Sequence, residues 1–304
     1  YIRGALPKVV PKSPDDLPTS RLFRGVGQAY LNTNILNGKD NVEIVFKSSP
    51  LGTQSHGYES NNSFLLYAFG ERLLIRTGRR DSYGSEHHKE WMWHTKSVNN
   101  ITVNGEGQGR RTAASVGEVT RFHASELIDF VEGEAGQAYE GHLDRFTRRI
   151  LFLKPDVIVV YDVVSAPEPS SFEWRLHAPT EMVLGDATAN VVNGAAACMV
   201  DFLWPKGLSL SQTDKFDTPP RPRIKLVEYH LTNTPAEASK TQTFVTVIRP
   251  YRSEGESAVQ IQKSEAINGG YGIRLKTLSG SAVVLLQEDQ GRELSWGGLT
   301  SSSA

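Results

Sequence analysis

The sequence predicts an all-β protein, a large antiparallel β-sandwich of the supersandwich-like kind. Three observations carry that expectation. Apolar runs of roughly four to eight residues recur along the chain, several alternating apolar with polar residues at the period of a half-buried strand. Turn signals built from Gly, Pro, Asn and Asp separate them at intervals suited to a sandwich or barrel. No amphipathic helical stretch longer than a few turns is present, nor an internal repeat of fixed period.

Taken in order, residues 1–30 carry Pro7, Pro11, Pro14 and Pro18 and read as an extended connector. Residues 31–298 read as the sandwich domain. Within it, 42–47 alternates apolar and polar, and 62–67 and 72–75 flank Phe69-Gly70-Glu71, a hairpin turn. Further strands are expected at 100–103, 118–122, 127–131, 147–153 and 157–164, the last two joined by a tight turn at Lys154-Pro155-Asp156. Beyond Pro167 and Pro169, strands are expected at 172–177, 224–231, 241–248, 272–275 and 282–286. Residues 299–304 read as a frayed tail.

Composition narrows the function classes. At 304 residues the chain is long enough to bury a substantial core. A formal charge of −1 lacks the basic footprint of an overall nucleic-acid binder. No apolar run is long enough to span a bilayer. The single cysteine, Cys198, lies in Ala-Ala-Ala-Cys-Met-Val and reads as a buried small hydrophobe. The chain opens on Tyr1-Ile-Arg-Gly, with neither an initiator methionine nor a signal-peptide pattern, so a processed protein or a fragment is expected.

Unusual chemistry concentrates between Ser55 and Gly105. His56, His87, His88 and His94 supply four of the eight histidines, alongside Arg76, Arg79, Arg80, Tyr83, Trp91 and Trp93. His56 follows a glycine-containing loop and precedes a strand; a histidine there can act as a base, as an acid or as a hydrogen-bond donor to an anionic group, or simply bond a neighbouring carbonyl. Asn61 and Asn62 can donate to a carboxylate, though by themselves they favour shaping the turn into the strand. Read as strand residues, His87 and His88 point to opposite faces and do not easily converge on one ion. At the same period Trp91 and Trp93 share a face, where they either stack on sugar rings or join the core. The three arginines can pair with acidic sugars or sit on a solvated turn. Elsewhere, His142, Arg145, Arg148 and Arg149 fit an alternating strand, and His177 reads as structural. No Gly-rich phosphate loop, nucleophile elbow or cysteine metal motif is present.

These motifs carry a resemblance. Ser55-His-Gly-Tyr-Glu-Ser-Asn-Asn-Ser-Phe64, Gly70-Glu-Arg-Leu-Leu-Ile-Arg-Thr-Gly78, Tyr83-Gly-Ser-Glu-His-His88 and Val98-Asn-Asn-Ile-Thr-Val-Asn-Gly105 resemble the β domain of heparinase II/III-like polysaccharide lyases. The similarity extends to residues 148–162 and covers most of 20–250. It is greatest to the large members, alginate lyases among them, in which an α-helical toroid precedes the sandwich. The resemblance implies the C-terminal part of such a protein, its toroid missing from this chain, acting by β-elimination on a uronic-acid-containing polysaccharide, alginate being the first candidate. It assigns His56 to catalysis and Tyr58, Asn62, Arg76, Arg79, Tyr83, His88 and Trp91 to substrate binding. Many members hold a zinc ion through a second histidine of the motif and a later Asp and His; the matching positions here are Tyr58, Arg76 and Val98. A divalent metal, zinc or calcium, would therefore need other ligands, His87 or His88 first. The implied partners are an acidic polysaccharide and the toroid, and the implied location is secreted or periplasmic. A non-catalytic carbohydrate-binding or assembly module is the alternative. A sugar hydrolase would need two spaced carboxylates, which no Asp or Glu pair here nominates.

Overall fold

The computed structural model describes residues 10–54, 57–288 and 292–301. The first sheet is an antiparallel meander of β1 (Arg21–Phe23), β2 (Gln28–Asn32), β3 (Val42–Lys47), β4 (Ser63–Ala68) and β5 (Glu71–Leu74). The chain continues through β6 (Ile101–Val103), β7 (Glu118–Ala124), β8 (Ile128–Glu134), β9 (Arg145–Leu153), β10 (Val157–Ser170) and β11 (Phe172–Ala178). Next come β12 (Val183–Leu184), β13 (Thr188–Asn193), β14 (Ala196–Trp204), β15 (Ser209–Thr213), β16 (Tyr229–Thr234) and β17 (Ser239–Arg252). The last strands are β18 (Gln260–Ile267), β19 (Gly270–Thr277), β20 (Gly280–Gln287), β21 (Leu294–Trp296) and β22 (Leu299–Ser301).

An eight-stranded sheet in the order β12-β13-β14-β17-β10-β9-β8-β7 is the central layer. Its strand β10 shows why the sequence there is an unbroken apolar run rather than an alternating one. Ile158, Val160 and Val164 enter one core, shared with the first sheet and with the β15-β16-β11-β6 sheet, while Val157, Val159 and Tyr161 enter a second core beneath β18-β19-β20. A strand buried on both faces has no solvent side to mark with polar residues. Strand β3 is the opposite case: its burial alternates strictly, as one face in and one face out requires. Cys198 on β14 is fully buried. No helix among the described residues is long and apolar enough to cross a membrane.

Four expectations about local structure change. The first sheet begins at Arg21, inside the stretch read as connector, because the prolines end at Pro18 and nothing beyond them blocks strand pairing. Strand β16 starts at Tyr229 rather than 224, and residues 214–228 form a long loop. At the end, Leu299–Ser301 pairs with Leu294–Trp296 instead of fraying. Finally, His87–Met92 is not a strand but a π-helical turn, so the period-two reading of the histidine and tryptophan pairs does not apply there.

Candidate functional site

The site is assembled at one end of the first sheet, beyond the end of β3, the start of β4 and the end of β5, where the loop after β3, the segment 76–94 and the loop 105–113 meet. Strand β4 is seated by asparagines. Asn61 donates through Nδ2 to the Ser115 carbonyl (3.0 Å) and accepts from the Ser49 N–H (2.8 Å). Asn62, at φ 59°, donates to the carbonyls of Gly133 (3.1 Å) and Phe146 (2.8 Å) and is fully buried. An amide side chain tolerates this left-handed conformation better than most residues do. Asn62, expected to bind substrate, thus spends its amide N–H groups on the scaffold, and its Oδ1 is buried without a partner among the described residues.

The described residues on either side of 55–56 are tied down: Thr53 bonds through N and Oγ1 to the carbonyls of Thr112 (2.8 Å) and Gly109 (2.6 Å), and the Gly57 N–H donates to the Gln54 carbonyl (2.8 Å). Gly57 is required there, since a Cβ would lie 2.7 Å from the Gln54 carbonyl oxygen. Ser55 and His56 themselves lie outside the described residues.

After this loop, Tyr58 lies under the guanidinium of Arg76, 3.8 Å from ring centroid to Cζ. Arg76 also donates through Nη2 to the Met92 carbonyl (2.8 Å), and its buried Nε finds no acceptor among the described residues. The next carboxylate, Glu59, is buried and takes Arg110 Nε at 3.0 Å; Arg110 also grips Glu90 through Nη1 at 2.9 Å. Burial pushes the Glu59 carboxyl up to about 7 despite that arginine. Neither Glu59 nor Arg110 stood out in the sequence, because single charged residues in loops carry no pattern.

The π-helical turn separates two aromatic clusters. On its outer side Tyr83, His88 and Trp93 pack together, with His88 4.6 Å from Trp93 and 5.4 Å from Tyr83, and Arg111 stands 4.0 Å over the Trp93 ring. Tyr83 is 68% exposed. Burial, then the charges of Arg80, Arg76 and Arg111, lower the His88 pKa. Its Nδ1 accepts from the Gly84 N–H (3.0 Å), so the neutral ring carries its proton on Nε2.

On the inner side Trp91, only 3% exposed, packs against Phe216 and His230 and donates to Thr77 Oγ1 (3.2 Å). His87 joins this cluster and donates through Nδ1 to the Thr218 carbonyl (2.6 Å). The loop 214–228 is clasped over it by Lys96 to Asp217 (2.7 Å) and by the Arg221 N–H to Asp81 (3.0 Å). Burial opposes ionisation of Asp81, but bonds from Ser85 Oγ and the N–H groups of Arg221 and Ser82 outweigh it and hold the carboxyl at about 2. Gly78 permits the close approach: at φ 88° its Cβ would meet Met92 and Trp91 side-chain atoms at 2.8 Å. Trp91 and Trp93 therefore face different clusters, and Trp91 is enclosed. Arg79 is exposed and stands beside the turn.

The positions at which the resemblance places zinc ligands do not suit a divalent cation: Arg76 brings a positive charge onto Tyr58, and Val98 presents a buried isopropyl group. His87 and His88 belong to opposite clusters, and no group of three or more His, Cys, Asp or Glu among the described residues is arranged to hold an ion.

The fold is thus that of a large antiparallel supersandwich domain with one cation- and aromatic-rich face. The chain belongs to the Heparinase II/III-like, C-terminal family, whose model matches residues 15–295. Among solved structures it is similar to the heparan sulfate lyase HepC from Pedobacter heparinus, with TM-score 0.73 and 15% identity over 90% of this chain and 43% of that one. It is also similar to the heparinase III BT4657 gene product, with TM-score 0.70 and 16% identity over 89% of this chain and 42% of that one. The chain therefore spans less than half the length of these solved relatives, and identities this low speak to fold alone. No curated protein gives a significant match.

Proposed function

We propose that the chain is the β-sandwich portion of a polysaccharide lyase that cleaves a uronic-acid-containing polymer by β-elimination. The observation that carries this reading is the convergence of Tyr58, Arg76, Tyr83 and His88 on one face in a chain of this family. β-Elimination needs a neutralised carboxylate, a base for the C5 proton and an acid for the leaving oxygen. Arg76 and Arg111 supply positive potential without a metal-like ligand set, and neutral His88 offers an Nε2–H donor. His56 neutralises the carboxylate or transfers the proton. The helical toroid of the same protein completes the cleft, so the isolated chain turns over little or no substrate. Alginate is the first polymer to try, and heparan sulfate, named in a solved relative, the second. A polymeric substrate places the protein outside the cell or in the periplasm.

The test is the ultraviolet absorbance of the unsaturated uronide. A protein joining this chain to its helical half generates it, and His56→Ala abolishes it; generation by the isolated chain would contradict the two-part site. A second reading, a carbohydrate-binding module without chemistry, is favoured by one feature, the exposed Tyr83 beside the Arg111–Trp93 stack. It requires that His56→Ala leave turnover intact while Trp93→Ala weakens binding.

A further inference from the structure

Lys47 ends strand β3 and points from its outer face. In the sequence it is the last polar residue of an alternating strand, which reads as solvent-facing. The structure instead half-buries it. Its Nζ donates to Ser60 Oγ (2.8 Å), which in turn donates to the Tyr58 carbonyl (3.2 Å), and the Tyr58 ring carries the Arg76 guanidinium. Burial first, then the charge of Arg76, lowers the Lys47 pKa to about 8. Lys47 also lines an open cleft of ≈ 710 Å³ with Gln28, Pro50, Gln54, Gly57 and Ala113.

Two cations thus approach each other in a partly desolvated place, and neither forms an ion pair with a carboxylate among the described residues. Glu228 is the acid felt by Arg76, but the two form no ion pair, and one Glu228 oxygen accepts from the Gly78 N–H (2.7 Å). Buried charges are ordinarily paired, and like charges in a low-dielectric setting repel. The arrangement is costly to the empty protein and becomes favourable when an anion enters, since Lys47 gains a charge-assisted hydrogen bond and the repulsion from Arg76 is offset.

We propose that Lys47, backed by the charge of Arg76, forms an anion-binding subsite that takes a carboxylate or sulfate group of an acidic polysaccharide in the cleft that Lys47 lines with Gln54 and Gly57. The subsite rests on the functional reading given above and adds to it a residue and a recognised group. Lys47 contacts the anion, and Arg76, held by Tyr58 and the Met92 carbonyl, keeps the potential behind it positive.

The test is calorimetric titration of the 304-residue chain with unsulfated polyuronate oligosaccharides and with heparan sulfate oligosaccharides, repeated on Lys47→Met and Lys47→Arg. Lys47→Met is expected to weaken binding at least tenfold while its melting temperature equals or exceeds that of the wild type, because an unpaired buried charge has been removed. Lys47→Arg is expected to keep binding within about threefold. Binding of the unsulfated oligosaccharide assigns the carboxylate, and binding of the sulfated one alone assigns the sulfate; either supports the subsite. Wild-type affinity in Lys47→Met, or a fall in its melting temperature together with unchanged affinity, overturns it and leaves the functional reading standing. A wild-type chain that binds neither oligosaccharide overturns the functional reading and the subsite together.

Discussion

Two arginines of this fold occupy opposite circumstances. Arg148, on β9, is completely buried, yet every part of its guanidinium is used: Nε and Nη2 take the two oxygens of Asp162 at 2.6 and 2.8 Å, and Nη1 donates to the carbonyls of Asn62 and Asn99. Asp162 is shared further with the Trp174 indole N–H (2.7 Å). Arg76 is less deeply placed, but it has an aromatic ring, one carbonyl, an unpartnered Nε and no carboxylate. The first arrangement is a closed knot tying the first sheet, the central sheet and β11 together. The second has capacity left over. Saturation of hydrogen bonds, rather than burial or charge, separates a residue that builds the fold from one that is available to a ligand.

The largest expected effect is at the knot. Asp162→Ala leaves the Arg148 charge unpaired and is expected to cost about 3–5 kcal/mol in chemical denaturation, whereas Arg76→Met is expected to cost less than about 1 kcal/mol. If Arg76→Met were the more destabilising change, the comparison would be reversed.

Acid is expected to act on the other side of the turn. Burial lowers His94 and His230 to about 4 and His177 well below its ordinary value, so these rings are neutral in the fold. Their contribution to stability is complete above about 6.5, the unfolded value, and is lost as the pH falls towards 4. Glu59 opposes them, because its raised value favours the fold at low pH and that contribution disappears as pH rises through 7. His88, also lowered, acts with these rings, as do the lowered carboxyls Asp81, Glu90, Glu132 and Asp217. Glu43, Asp156 and Glu228, raised by burial, act with Glu59. With the rings and the lowered carboxyls in the majority, the melting temperature should fall between pH 6.5 and 4.5. Replacing His230 with Gln should flatten that slope, and an unchanged slope would remove the buried rings as its cause.

Gly78→Ala combines a strained left-handed backbone with contacts on Trp91 and Met92, and a loss of about 1–3 kcal/mol is expected by thermal melting. The smallest effect belongs to the open face. Arg111→Gln removes the cation over Trp93, about 0.5–1 kcal/mol at an exposed site, and should lower affinity for acidic oligosaccharides about threefold while lowering the melting temperature by no more than about 3 °C.

The sequence exposed the architecture more readily than the site. Alternation at 42–47, the hairpin at Phe69-Gly70 and the β9–β10 turn at Lys154-Pro155-Asp156 are local features, and local features survive folding unchanged. The Arg148–Asp162 pair was hidden in plain view: both residues sit on expected strands, but only the β9–β10 register puts them opposite each other. The His87–Met92 turn was misread because six residues hold too little periodicity to separate a strand from a wide helical turn. Lys47, Glu59 and Arg110 were missed because a lone charge on an alternating strand or in a loop has the same appearance whether it meets water or another loop. Trp91 and Trp93 differ only in which side of that turn they leave.

The central claim is that the face with unsaturated cations, and no other, receives an acidic polysaccharide. Hydrogen–deuterium exchange of the chain with and without a polyuronate oligosaccharide measures this most directly. The account predicts added protection confined to residues 47–60, 76–93 and 107–111, with β9 and β10 around Arg148 unchanged. Protection centred elsewhere, or none at saturating oligosaccharide, would contradict it.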